Sequence, residues 1–583
     1  MKKNILVGLL ALLSSFALSS DLGFNIVISS IVAIALFIFY NKRLDILKVN
    51  GWFLFLSIIF SICMIIGNSF KMTESFAYLS DNWIISLVSL FGYTIFFNIM
   101  LNYIYDLFIN NKVKNIFPKN KLTNYIKKHP FWATFIFLFI CYLPYIIVYY
   151  PILLNPDGGY QILEVMGIPT WYLDSVILPE NYITITNFNP VIHSLLIGGL
   201  FKFGHILGSD NFGLFLYTMV QVTIVISVFA YSISYMYKNN FNKKIIYFSL
   251  LAIALIPVFP NYAITGVKDV IFSSLMLLYA IRIYDFIKKS GTVKDVIILT
   301  LISISILLFR NNGFITIFLS FPFLLLLKKK MIPILLSFLI LISVYYSYNK
   351  VLLPYFHIPN TSIREVLSIP FQQIARLVKY HSDEITDEDK LVIDKILEYD
   401  TLKERYKTNL VDPVKNKFNK NYTKEDLTNF FDVWYRNFFI HPVTYLNATF
   451  NTTYGYIYPN TTNWYIYTKM TKELKAANFD YHFNSLDLAR GAFRGIGNYY
   501  PNLPIIGLSV NIGFNIWTIF IMAIMYIVSK KKMLLLLLLP AFTIFLACMA
   551  GPVNSYFRYI LPIVYSMPFL INVFYNELNK RKN

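Results

Sequence analysis

The stretch "PVIHSLLIGGLFKFGHIL" (190–207) decides how the whole chain is threaded. It is apolar enough to be counted as a membrane span. Counting it, however, puts the next basic cluster, "KNNFNKK" (238–244), on the wrong side, and every later basic cluster inverts with it. Lys and Arg gather in short clusters between apolar runs: "NKRLDILK" (41–48), the stretch 110–128, "KK" (288–289), "KKK" (328–330), "KKK" (530–532) and "NKRKN" (579–583). Such clusters sit on the cytoplasmic side of membrane proteins. With all of them held inside, residues 190–207 read as an interfacial or re-entrant helix on the outer side.

The composition sets the class. Of 583 residues, 57% are hydrophobic and only 14% charged, where a soluble chain would carry about 25% charged residues. Apolar runs long enough to cross about 30 Å of hydrocarbon recur along the chain. The expected fold is therefore an all-α polytopic membrane protein. The net charge of +20 lies in the clusters just named, so it sets orientation and meets anionic membrane lipids; no nucleic-acid partner is read from it. Cys63, Cys141 and Cys548 lie in apolar runs without CxxC spacing, which suits neither a zinc site nor a disulfide framework.

The expected spans fall near 4–20, 22–40, 52–70, 83–108, 131–150, 211–237, 244–259, 269–287, 294–309, 313–327, 331–349, 505–529, 533–549 and 557–575. That is about fourteen transmembrane helices with both ends of the chain cytoplasmic. The opening "MKKNILVGLLALLSSFALSS" resembles a signal peptide, but a second apolar run follows at once, so it reads as an uncleaved first helix. Four regions follow: an N-terminal membrane module of about four spans (1–129), a membrane core with external loops (130–349), a mostly helical extracellular insert (350–504), and C-terminal spans with a basic cytoplasmic tail (505–583).

This threading gathers several polar constellations on the external side. They are "NPDGGYQ" (155–161), "PNYAITGVKD" (260–269), "RNNG" (310–313), the insert, and "GPVNSYFRY" (551–559). The spans themselves are nearly free of ionisable residues, which disfavours an ion-coupled transporter. No nucleotide-binding fingerprint occurs. An external transferase needs a donor delivered on a lipid carrier, and a polyprenyl-phosphate sugar meets that need. Asp157, on what reads as a glycine hinge, supplies a carboxylate to orient or deprotonate an acceptor hydroxyl. Lys268, Arg310 and Arg558 supply cations for the leaving phosphate. Asp269 reads as a helix cap or as a partner of Lys268. His193 reads as a satisfied interfacial histidine or as an acid–base group, and Tyr160, Gln161 and Asn311 complete the polar set. The two glycines of "NPDGG" are expected to let backbone and substrate approach closely around the carboxylate.

"NPDGGYQ" after an outward-going span, "NFNPVIHSLLIGGLFKFG" after it, and the charged pair in "GVKDVIFSSL" together resemble the GT-C superfamily of integral-membrane glycosyltransferases, and "LLFRNNGF" and "GPVNSYFRYILPIVY" resemble pieces of its bacterial members. The resemblance implies inverting transfer of a sugar from a polyprenyl-phosphate donor, with Asp157 activating the acceptor. The expected protein is an outward-facing glycosyltransferase of the bacterial plasma membrane, decorating a cell-surface glycan, lipid or protein. It runs over 131–575, with 1–129 as an added module. A divalent metal, Mg or Mn, serves DxD-bearing members, but this motif has a single carboxylate. A polymerase or ligase of lipid-linked glycans, or a flippase of lipid-linked sugars, remains an alternative reading of the same residues.

Overall fold

The computed structural model describes residues 2–43, 50–110, 126, 128–289, 291–461, 465–551 and 553–579. The basic stretches at 44–48, 111–125 and 580–583, and Pro552 of "GPVNSYFRY", lie outside these. Of the described residues 77% are helical, with almost no strand. Among the described residues, nine helices are long and apolar enough to cross a membrane: Lys3–Leu22, Gly51–Thr73, Trp83–Asn110, Pro130–Val148, Asp210–Lys238, Lys268–Lys288, Met331–Tyr355, Lys532–Met549 and Phe557–Asn579.

The other five expected spans fall on shorter helices. Ile26–Lys42, Val293–Phe309 and Ile512–Val528 have 17 residues each, about 25 Å at 1.5 Å per residue. Lys243–Leu255 stops before Pro257, and Gly313–Ser320 passes into a 3-10 turn at Pro322. Proline lacks the N–H that a helix interior needs, and it disfavours helical backbone in the residue before it. The apolar helix Val191–Ile206 packs between Pro156–Val165 and Asp210–Lys238.

Side-chain contacts sort the helix ends into two sets. At one end, Tyr458 reaches Asp21, and Arg376 and Asn451 donate to the Glu74 carbonyl at 3.1 and 2.7 Å. The Asp157, Lys268, Arg310 and Arg558 side chains also meet one another (below). At the other end, Lys288 pairs with Glu577 at 2.5 Å, Lys329 donates to the Ile287 carbonyl at 2.9 Å, and Lys531 bonds the Glu577 carbonyl. One end carries mixed polar groups and the other lysine.

The hydrophilic segment 350–504 is helical but divided in its packing. Leu367–Tyr445 builds a small core of its own from Phe371, Ile374, Ile393, Ile396, Leu402 and Phe430. Beyond it, Tyr456, Tyr465 and Tyr500 join the main membrane core. Gly67 is where this return docks: a Cβ there would lie 2.3 Å from the Tyr458 ring, so only glycine admits it.

Candidate active site

Two strands of two residues each organise the polar end. β1 (Leu153–Leu154) runs parallel to β2 (Thr265–Gly266), pairing Leu153 with Thr265 and Leu154 with Gly266. Each strand feeds directly into a helix. Asn155 caps Pro156–Val165, its side chain accepting from the Gly158 N–H at 2.9 Å, and Val267 precedes Lys268–Lys288. The "NPDGG" stretch is thus a helix start rather than a hinge, with Asn at the cap and Pro at the first position, where its missing N–H costs nothing. Asp157 and Asp269 sit in the first turns of these neighbouring helices. The partial positive charge of a helix N-terminus favours carboxylates there.

The glycines serve this pairing of backbones. A Cβ on Gly158 would lie 2.5 Å from the Gly266 carbonyl oxygen, and one on Gly159 would lie 2.6 Å from the Thr471 methyl. The close approach expected around the carboxylate is therefore made by β2 and residue 471 of the same chain.

Five charged side chains converge above the strands. Arg558 Nη1 donates to Asp157 Oδ2 at 2.8 Å and lies 3.9 Å from Asp269 Oδ2. Lys268 Nζ is 3.6 Å from Asp157 Oδ2 and donates to Asn189 Oδ1. Arg310 pairs with Asp269 Oδ1. Tyr559 lies between the two guanidinium groups, 5.7 Å from each, with Tyr556 4.6 Å from Arg558 and Phe272 5.8 Å from Arg310. Three cations thus face two carboxylates, leaving one surplus positive charge in a recess where Asp157, 21% exposed, is the most open member. Among the described residues, the buried Arg558 Nε and Asp269 Oδ2 find no hydrogen-bond partner. Burial works to raise the Asp157 pKa, but Arg558 and Lys268 outweigh it and hold the carboxyl far below the usual carboxylate range.

The remaining sequence candidates lie around this cluster. His193 is fully buried, Nδ1 3.0 Å from Gln161 Oε1 and Nε2 2.8 Å from the Tyr217 hydroxyl. Gln161 also bonds Ser194 at 2.9 Å, and Tyr217 donates to Gln221, whose amide donates to the Ala263 and Thr265 carbonyls at 2.9 and 2.8 Å. This chain of bonds ties the Asp157 helix, Val191–Ile206, Asp210–Lys238 and β2 together, and both ring nitrogens of His193 are engaged within it. Asn311 donates to the Asn187 and Phe188 carbonyls at 2.7 and 3.2 Å, holding the loop that carries Asn189 beneath Lys268. Tyr160 is half-buried, edge-on to Tyr172 and Trp171.

Two polar residues escaped the sequence reading. Asn189 is the partner of Lys268, from 79 positions away. Glu164 is 1% exposed; its Oε1 accepts from Thr186 at 2.7 Å and Thr170 at 3.3 Å, and its Oε2 has no hydrogen-bond partner among the described residues. Burial pushes its pKa up to about 7, against the lowering by those hydroxyls. Its spacing from Asp157 puts both on one face of the same helix, which was the available signal.

Mg or Mn does not fit the donor set of the cluster. Each carboxylate already faces a guanidinium, three cations crowd the recess, and a hard divalent ion needs about six oxygen ligands.

Residues 172–583 match the profile of a family of unknown function, DUF6020, and the chain belongs to that family. The matched range includes His193, Lys268, Asp269, Arg310, Asn311 and Arg558 and begins after Asp157, Tyr160 and Gln161. No curated protein and no solved structure matches the chain.

Proposed function

We propose that this DUF6020 member is a glycosyltransferase of the bacterial plasma membrane, moving a sugar from a polyprenyl-phosphate donor to a cell-envelope acceptor on the outer face. One observation carries the reading: Asp157 shares Arg558 and Lys268 at 2.8 and 3.6 Å in a recess with surplus positive charge, at the lysine-poor end of the helix bundle. Positive-inside orientation makes that end external. The two sets of helix ends also favour fourteen crossings, with the five shorter helices completing the span through local bilayer thinning or turns at their ends.

In the proposed step the acceptor oxygen attacks the anomeric carbon and the bond from that carbon to the phosphate oxygen breaks. The acceptor proton passes to Asp157, and the electron pair leaves with the phosphate. Arg558, Lys268 and Arg310 hold the negative charge that develops there. In the resting site a carboxylate so strongly paired is a weak base. Donor phosphate engages the same cations, draws them from Asp157 and raises its basicity when the acceptor arrives.

The test is reconstitution in vesicles with a labelled lipid-linked sugar, read for a new glycosidic bond and for lipid translocation. New bond formation that depends on Asp157, at a face reached by membrane-impermeant acceptors, supports the transferase. Translocation without bond formation replaces it with a flippase. Extension of the lipid-linked glycan itself replaces it with a polymerase.

A further inference from the structure

A second cluster lies in the 350–504 segment, away from the charged recess. His381 caps the C-terminus of Ser368–Tyr380, Glu384 lies in the turn after it, and His441 sits at the corner between Lys424–Ile440 and Pro442–Ile457. His381 Nδ1 is 2.8 Å from one Glu384 oxygen and His441 Nε2 is 3.6 Å from the other. The two imidazole rings are 4.2 Å apart at 34°. A surface ion pair explains one histidine beside a glutamate; it does not explain one carboxylate bridging two closely packed imidazoles from separate helices.

We propose that His381, Glu384 and His441 bind one divalent transition-metal ion of the zinc class. The three ligand atoms lie within 4.8 Å of one another. Metal–ligand bonds of about 2.0–2.2 Å in tetrahedral geometry put ligand atoms about 3.3–3.6 Å apart, so side-chain adjustment alone closes the site. Two neutral imidazoles and a carboxylate suit zinc and its neighbours, whereas Mg and Ca prefer all-oxygen shells. The Thr444 hydroxyl, 3.0 Å from His381 Nε2, fixes that ring with Nδ1 toward the ion, the usual arrangement of an outer partner. Glu384 is 59% exposed, which leaves the fourth position to water.

The ion would act as a clamp. His381 follows the helix that carries Arg376 and His441 precedes the helix that carries Asn451, and both Arg376 and Asn451 donate to the Glu74 carbonyl at the end of Gly51–Thr73. Joining their far ends fixes the insert on its membrane support.

The test uses the full-length protein with a histidine-free purification tag, stripped with EDTA and titrated with Zn2+ alone. One ion per chain is expected, bound at least a hundredfold more tightly than by His441→Ala, and Zn2+ is expected to raise the thermal midpoint of the wild type but not of His381→Ala. Glu384→Gln guards against misfolding of the alanine variants, since its side chain is largely exposed: it should keep the apo midpoint while weakening Zn2+ and dimming the visible bands of bound Co2+. No Zn2+ uptake by stripped wild type at micromolar concentration overturns the proposal. Uptake and Co2+ spectra unchanged in both Glu384→Gln and His441→Ala overturn it equally.

Discussion

Asp157→Asn is expected to move donor binding and turnover in opposite directions. Asp157 Oδ2 lies 2.8 Å from Arg558 and 3.6 Å from Lys268. A donor phosphate engaging those cations therefore sits about 5–6 Å from the carboxylate, where two unit charges repel by about 3 kcal/mol at an effective dielectric near 20. The opening of the recess at Asp157 and mobile salt reduce this to about 1–2 kcal/mol, so the neutral amide is expected to bind phosphate roughly 5–30-fold more tightly. Turnover falls by about 10²–10⁴ because the acceptor proton loses its recipient. Arg558→Gln removes a phosphate ligand and lowers both quantities. The assay is equilibrium binding of a short-chain polyprenyl-phosphate sugar to protein in nanodiscs, paired with sugar transfer by the same preparation and a thermal midpoint to confirm folding. Donor binding weakened by Asp157→Asn as much as by Arg558→Gln refutes the shared-cation argument, and wild-type transfer by folded Asp157→Asn removes the catalytic role.

Two further outcomes follow from the packing. Glu164, with its pKa pushed up to about 7, binds a proton more tightly folded than unfolded. Its contribution is therefore fully present below the unfolded pKa near 4.3 and is lost as pH rises through 7, so Glu164→Gln should stabilise the protein by about 1–3 kcal/mol at pH 8 and hardly at all at pH 4.5. A thermal midpoint that rises equally at both pH values contradicts this. Gly158→Ala, whose methyl meets the Gly266 carbonyl oxygen at 2.5 Å, should separate the strands and lower the midpoint by several degrees, while Gly491→Ala, with open space around it, should be neutral or slightly stabilising; equal midpoints for the two would remove the close-approach explanation.

Much of the architecture is legible because lipid imposes one rule on every span: satisfy the backbone internally and stay apolar. That rule locates the nine long helices and, with the lysine clusters, sorts their ends. It is silent on where an apolar run is broken by proline, hence the short helices around Pro257 and Pro322. The charged residues of the recess were visible because charge is rare in such a chain. Their pairings were not: Asn189 for Lys268 is an ordinary polar residue selected only by tertiary proximity, as is Tyr217 for the neighbouring His193, whose other partner, Gln161, stood among the sequence candidates without its pairing being legible. The helix start at Asn155–Pro156 carried a capping signal, Asn before Pro, that the hinge reading of the glycines passed over. The neighbours that require Gly158 and Gly159, at Gly266 and Thr471, could not be read from local sequence.

The bond from Arg558 to Asp157 spans 401 positions. At about 5–20 residues per second of synthesis, Asp157 emerges roughly 20–80 seconds before the guanidinium that will hold it. During that interval Lys268, Asp269 and Arg310 arrive in turn, and the half-built recess has as many negative as positive groups. Only entry of the final long helix tips it positive. On the proposed function, competence to hold an anion is thus deferred until the bundle is closed, and a nascent chain in the membrane would have no half-formed anion trap to be occupied prematurely by lipid phosphate.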